Sequence, residues 1–145
     1  SRGEVNILSD DPKKHPEINY NFLSANKDRE TLVMGVKKVR EVMSQDAIAK
    51  YIVREFRPGS EHNSDEAIID FLEKSGRTSY HPVGTCRMGP DDEAIVDPKL
   101  RVNGVSSLRI ADASIMPTLV SGNTNAPTIM IGEKASDMIL SDLIR

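Results

Sequence analysis

The chain has 145 residues, 38% of them hydrophobic and 28% charged, with a formal net charge of −3. That is enough apolar material for one domain or one piece of a larger domain, and it excludes a disordered tail. The charge balance gives no basic field for nucleic acid or an anionic membrane, the apolar runs fall far short of the ~20 residues that span a bilayer, and a single cysteine excludes an intrachain disulfide framework.

The chain opens on Ser1-Arg2-Gly3-Glu4-Val5, with no initiator Met and no basic-then-apolar leader, so it reads as a piece of a longer polypeptide. Glu4 to Leu8 alternates, placing Val5 and Ile7 on one face of a half-buried strand. Asp10-Asp11-Pro12 ends it, and Ile18 to Leu23 is a second short extended stretch. From about Asp28 to Ser44 the apolar residues Leu32, Val36, Val39 and Met43 recur every three or four positions, which predicts an amphipathic helix with that stripe facing a core. Ala47 to Tyr51 suits a second short helix, and Arg57-Pro58-Gly59-Ser60 a turn. Asn63 followed by Glu66 is a helix-start signature. That helix has an apolar face of Ala67, Ile68, Phe71 and Leu72, and Gly76 stops it.

The character changes at Thr78, where Pro, Gly and small polar residues become dense around short apolar runs. Val102-Asn103-Gly104-Val105 predicts a hairpin between Leu100–Val102 and Leu108–Ala111, because Asn-Gly tolerates the positive φ of a tight turn. A last helix is expected from about Pro127 to Leu143, with Pro127 at the first helical position. The coarse class is α+β, an antiparallel sheet packed with helices.

Two stretches carry chemistry. In the first, around His81, a lone histidine before a proline is commonly just a loop residue. Pro82 and Gly84 nonetheless build a rigid loop in which a base can be held. Cys86 reads as a small buried thiol; the rival reading is a thiol nucleophile served by His81. Arg87 can bind an anion or pair with Asp91 or Asp92. In the second stretch, Asn123 and Asn125 precede a helix, where Asn is a good N-cap. The same helix start offers free N–H groups to a developing negative charge. Asp112 can cap a turn or hold a ligand hydroxyl. Three scattered histidines and one cysteine give no metal motif.

Four segments in order resemble the C-terminal region of the glucose–methanol–choline (GMC) oxidoreductases. They are His81-Pro82-Val83-Gly84-Thr85-Cys86-Arg87-Met88-Gly89, Val96 to Val102, Leu108 to Pro117, and Gly122-Asn123-Thr124-Asn125-Ala126-Pro127-Thr128 running on to Lys134. The likeness is to the choline-dehydrogenase-like alcohol dehydrogenases, covers nearly the whole chain, and is sharpest from Tyr80 onward. Residues 78–145 hold the catalytic and flavin-facing motifs on this reading.

The resemblance implies a flavoenzyme that oxidises an alcohol to a carbonyl. It assigns the proton-accepting histidine to His81 and the substrate-oxygen partner to Asn123, with Asn125 the second choice. It places Asp112 and Ala113 beside the flavin chain, and Thr124 and Asn125 at the flavin's pyrimidine end. The expected cofactor is FAD and the expected partner is the FAD-binding N-terminal part of the same polypeptide. The family's G-x-G-x-x-G fingerprint in a βαβ unit is missing from these residues. The chain alone is therefore expected neither to retain FAD nor to turn over. The substrate is an alcohol, with choline a candidate; oxidase or dehydrogenase, the electron acceptor, and a cytoplasmic or membrane-peripheral location stay open. The competing reading is a degenerate homologue kept for binding or structure.

Overall fold

The computed structural model describes residues 1–144. The chain divides into two compact units, Ser1–Arg77 and a second from Thr78 onward. Among the described residues the class is α+β, with one small antiparallel sheet and four α-helices.

In the first unit, β1 (Glu4–Asn6) pairs antiparallel with β2 (Glu17–Asn19), Val5 opposite Ile18. Both of those residues are about half exposed, at 46% and 56%, so the alternation forms a strand without the expected burial. Helices α1 (Asn26–Met43), α2 (Asp46–Ala49) and α3 (Asp65–Ser75) follow. The predicted stripe on α1 has helical spacing but is not a core face within this unit. Leu32, Val39 and Met43 are exposed, Val36 is half-buried, and the buried residue is Val33. The reason is the direction of packing. α3 packs on α1 and buries Ile68 completely, and the side of α1 left over opens onto a groove with Ile52, Phe56 and Leu72. Arg40 ties α1 to the following loop. Its guanidinium donates to both Glu55 carboxylate oxygens (2.9–3.2 Å) and to the carbonyls of Gly59 (3.2 Å) and His62 (2.9 Å). The Arg40 guanidinium accordingly holds the Glu55 carboxyl below the usual range.

The cap of α3 lies one residue later than the Asn63/Glu66 signature suggests. Ser64 is the N-cap, its hydroxyl accepting the Ala67 N–H at 3.1 Å. Gly76 does end the helix, but not through a left-handed turn, since its φ is −62°. A side chain there would meet the Leu72 carbonyl at 2.5 Å, so the glycine serves close approach.

The second unit has little regular structure before α4 (Asn125–Leu143) and is nonetheless the better packed. Val96, Leu100, Ile115, Met116, Ile131 and Ala135 form one buried cluster. The expected hairpin is present as a ladder fragment. Arg101 bridges Arg109, Val102 N–H donates to Leu108 C=O at 3.0 Å, and Ile110 N–H to Leu100 C=O at 3.1 Å. Its loop is longer than the two-residue turn expected. Gly104 takes positive φ (79°), but Asn103 does not, and Ser107 adds a second left-handed residue. Asn103 is held otherwise: its side chain donates to Ala94 C=O (2.8 Å) and its backbone N–H to Ile95 C=O (2.9 Å). α4 begins two residues before Pro127, so proline occupies the third helical position, where its missing N–H still has no intrahelical partner to lose.

Candidate active site

Every residue singled out as catalytic or cofactor-facing lies in the second unit, on three segments that the core draws together. The first runs from His81 to Gly89. It is laced to the second, Asp112 to Met116, by Cys86 N–H to Ser114 C=O (3.0 Å) and Met88 N–H to Ile115 C=O (2.8 Å). Gly84 makes that approach possible. It has φ 87°, and a Cβ there would sit 3.2 Å from the Met116 carbonyl oxygen. Tyr80, just before the histidine, also takes a left-handed φ of 60°, a conformation a bulky residue adopts only where its surroundings impose it.

The second segment is a single 3₁₀ turn, Ala113–Ile115, capped by Asp112, whose Oδ1 accepts the Ser114 N–H at 2.7 Å. Of the two readings of Asp112, the turn cap is therefore visible in the structure. Ile115 and Met116 are buried in the cluster with Ile131 and Ala135 of α4. The third segment, the start of α4, is fixed by that packing.

At the point where the first and third segments meet, Thr124 Oγ1 lies 2.9 Å from His81 Nδ1, linking residues 43 apart in sequence. His81 is half-buried and Thr124 is 8% exposed, the one buried polar residue among those described. Asn123 and Asn125 flank Thr124 and are both exposed. Asp112 and Ala113 reach neither His81 nor Thr124 by a hydrogen bond.

The expected Asn125 cap is replaced. Asn125 is the first helical residue and Thr124 the N-cap, and the Thr124 hydroxyl makes no capping bond. Its carbonyl instead accepts the backbone N–H (3.0 Å) and hydroxyl (2.6 Å) of Thr128. With no acidic residue in the first turn and no side-chain cap, the positive end of α4 is left without a negative partner from its own turn.

Two ion pairs of the second unit, Arg87–Asp91 and Arg101–Asp97, are formed between residues four apart. Arg87 pairs with Asp91 through both terminal guanidinium nitrogens (2.9 and 2.5 Å), which decides between the partners considered for it. That guanidinium pulls the Asp91 carboxyl down to about 2 and raises Arg87 in turn. Asp97 is also held low. Burial opposes this, but the Arg101 guanidinium and the backbone N–H groups of Arg101 and Lys99 together outweigh it. Cys86 is half-buried and free, and among the described residues no hydrogen bond joins it to His81.

The pairing of His81 with Thr124 escaped sequence reading, although one signal was present. A capping threonine needs an N–H two or three residues ahead, and Pro127 at the third helical position has none.

The chain as a whole matches known proteins. The family model for GMC oxidoreductase matches residues 1–132. An oxygen-dependent choline dehydrogenase of Escherichia coli O127:H6 is 47% identical over 139 residues, covering 96% of this chain and 25% of the relative. Among solved structures, pyridoxine 4-oxidase from Mesorbium loti superposes with a TM-score of 0.86 at 35% identity, covering 93% of this chain and 26% of its own. A formate oxidase variant from Aspergillus oryzae RIB40, studied for its FAD modification, gives 0.87 at 32% identity, covering 98% and 25%. The chain thus spans about a quarter of the length of the curated relatives it matches.

Proposed function

The chain belongs to the GMC oxidoreductases, and on that premise we propose that it supplies the substrate-side wall of an FAD-dependent enzyme that oxidises a primary alcohol to a carbonyl. The observation that carries this reading is the convergence of the His81 loop and the start of α4, joined through Thr124. Those two segments bear the imidazole and the carboxamide that alcohol oxidation needs.

An alcohol hydroxyl is a very weak acid, so its proton must go to a positioned base as hydride leaves carbon. His81, in its neutral form, takes that proton. With Nδ1 engaged by Thr124, Nε2 is the ring nitrogen left for substrate. The oxygen becomes alkoxide-like, and the Asn123 amide donates to it; protonated His81 supplies the second donor. FAD, when bound, supplies the hydride acceptor at its N5 position. The donor set at the start of α4 fits such a group. N–H groups without a side-chain cap, and a helix dipole with no acidic residue in its own first turn, suit a ring edge that gains negative charge. Thr124, Asn125, Asp112 and Ala113 are the residues of this chain that would line it. The N-terminal part of a longer polypeptide would provide the rest of the pocket.

The test is the visible spectrum of the flavin-loaded enzyme under anaerobic addition of primary alcohols, choline included. Bleaching by one of them is the expected result; no bleaching by any, with flavin bound, favours a non-catalytic homologue. His81→Ala is expected to lower turnover by about 10²–10⁴-fold, the range for a lost acid–base group. Asn123→Ala is expected to slow turnover with the flavin spectrum retained. Wild-type turnover in His81→Ala would refute the base assignment.

A further inference from the structure

We infer that Thr124 is a positioning residue for His81, one that fixes the imidazole tautomer through Nδ1; this rests on the reading of His81 as the base. Three observations carry it. The hydroxyl lies 2.9 Å from Nδ1 on a residue only 8% exposed, so the contact is sheltered from competing water. Thr124 stands at the N-cap of a 19-residue helix yet makes no side-chain cap. The cause of that omission is chemical. An N-cap hydroxyl accepts from the second or third helical N–H, and the third residue here is Pro127, which has none. Proline thus removes one of the two donors that would hold the hydroxyl on its own helix, and the hydroxyl turns to His81.

The direction of the hydrogen bond follows from the work His81 is assigned. A base acting through Nε2 needs its lone pair there, which puts the proton on Nδ1. Nδ1–H then donates to Thr124 Oγ1. The arrangement survives proton transfer. When Nε2 gains a proton, Nδ1–H keeps the same acceptor, so the ring need not reorient between steps. A hydroxyl carries no charge, so unlike a carboxylate at this position it does not hold the imidazolium against giving its proton back.

Two variants separate this role from simple packing. Thr124→Val keeps the shape and removes the hydroxyl; Thr124→Ser keeps the hydroxyl and removes a methyl group. The flavin-loaded enzyme is labelled with ¹⁵N-histidine, and the His81 ring signals are identified by their loss in His81→Gln. Wild-type protein is expected to show a protonated Nδ1 and an unprotonated Nε2. Thr124→Val is expected to move His81 toward a mixture of tautomers. It should also lower kcat by about tenfold with KM little changed, the loss expected of one hydrogen bond. The alkaline-active limb of the kcat/KM profile should shift in Thr124→Val, and Thr124→Ser should restore the tautomer, the rate and the profile. Unchanged ring signals and turnover in Thr124→Val would overturn the assignment, as would equal damage from Thr124→Ser. If His81→Ala turns over normally, the base reading itself fails. If His81→Ala is slow but Thr124→Val matches wild type, only the role of Thr124 falls.

Discussion

The two units differ in a way that their secondary structure conceals. The first holds β1, β2 and three of the four α-helices, yet its buried hydrophobic residues among those described are Val33 and Ile68. The second has one long helix and a run of loops, yet buries seven, from Ala94 to Ala135. Helices satisfy their own backbone hydrogen bonds, so they can form with one face open. Loops cannot, and those of the second unit are fixed by bonds to one another and by the cluster beneath them. Rigidity, which a proton-transfer site needs, therefore resides in the less regular unit.

The sharpest way to break that contrast uses two histidines. His81→Ala carries the large loss of turnover given above, whereas His62→Ala in the first unit, where the ring stands edge-on to Phe71 at 5.2 Å, should leave turnover unchanged. An equal loss from both would remove the special role given to His81. Next in size is packing. Ile131→Ala should cost about 2–5 kcal/mol by denaturant unfolding, for lost burial plus the cavity. Leu32→Ala, on the open stripe at 44% exposure, should cost under about 1 kcal/mol. A Leu32 effect as large as that of Ile131 would mean that the α1 stripe is covered in solution.

Arg40→Met would sharpen the picture of the first unit, whose fixation depends more on polar bonds. Losing the donors to Glu55, Gly59 and His62 should cost about 2 kcal/mol, read as faster amide exchange at residues 55–62. The smallest effect concerns pH. Asp91 drops from 3.8 to about 2 in the folded chain, so its pairing with Arg87 stabilises above pH 4 and is lost as pH falls toward 2. Solvent reaches both side chains of the pair, which keeps this effect slight. Asp91→Asn should flatten that part of the acid-unfolding curve, and an unaltered curve would show the pair to be without consequence.

Much of the fold was legible because its signals are local. The 3.6-residue period gave α1 and the apolar face of α3 gave its helix, each within a residue or two of the observed ends. Capping was less secure, since Ser64 and Asn63 compete one position apart and backbone geometry selects between them. The Asn103-Gly104 signal marked the turn but not the length of its loop, because Asn103 is recruited by Ala94 and Ile95 rather than by the turn itself. Burial on α1 is not legible for a different reason: periodicity defines a face and says nothing of what meets it.

By itself the sequence determined the helices, the class, the family likeness and the residues able to do acid–base work, since all of these depend on residue type and near neighbours. Only the tertiary structure decided that the stripe on α1 stays open, that Arg87 takes Asp91, and that the Thr124 hydroxyl leaves its helix for His81. A contact across 43 residues is set by how the core aligns two loops on one helix, and no local preference encodes that alignment.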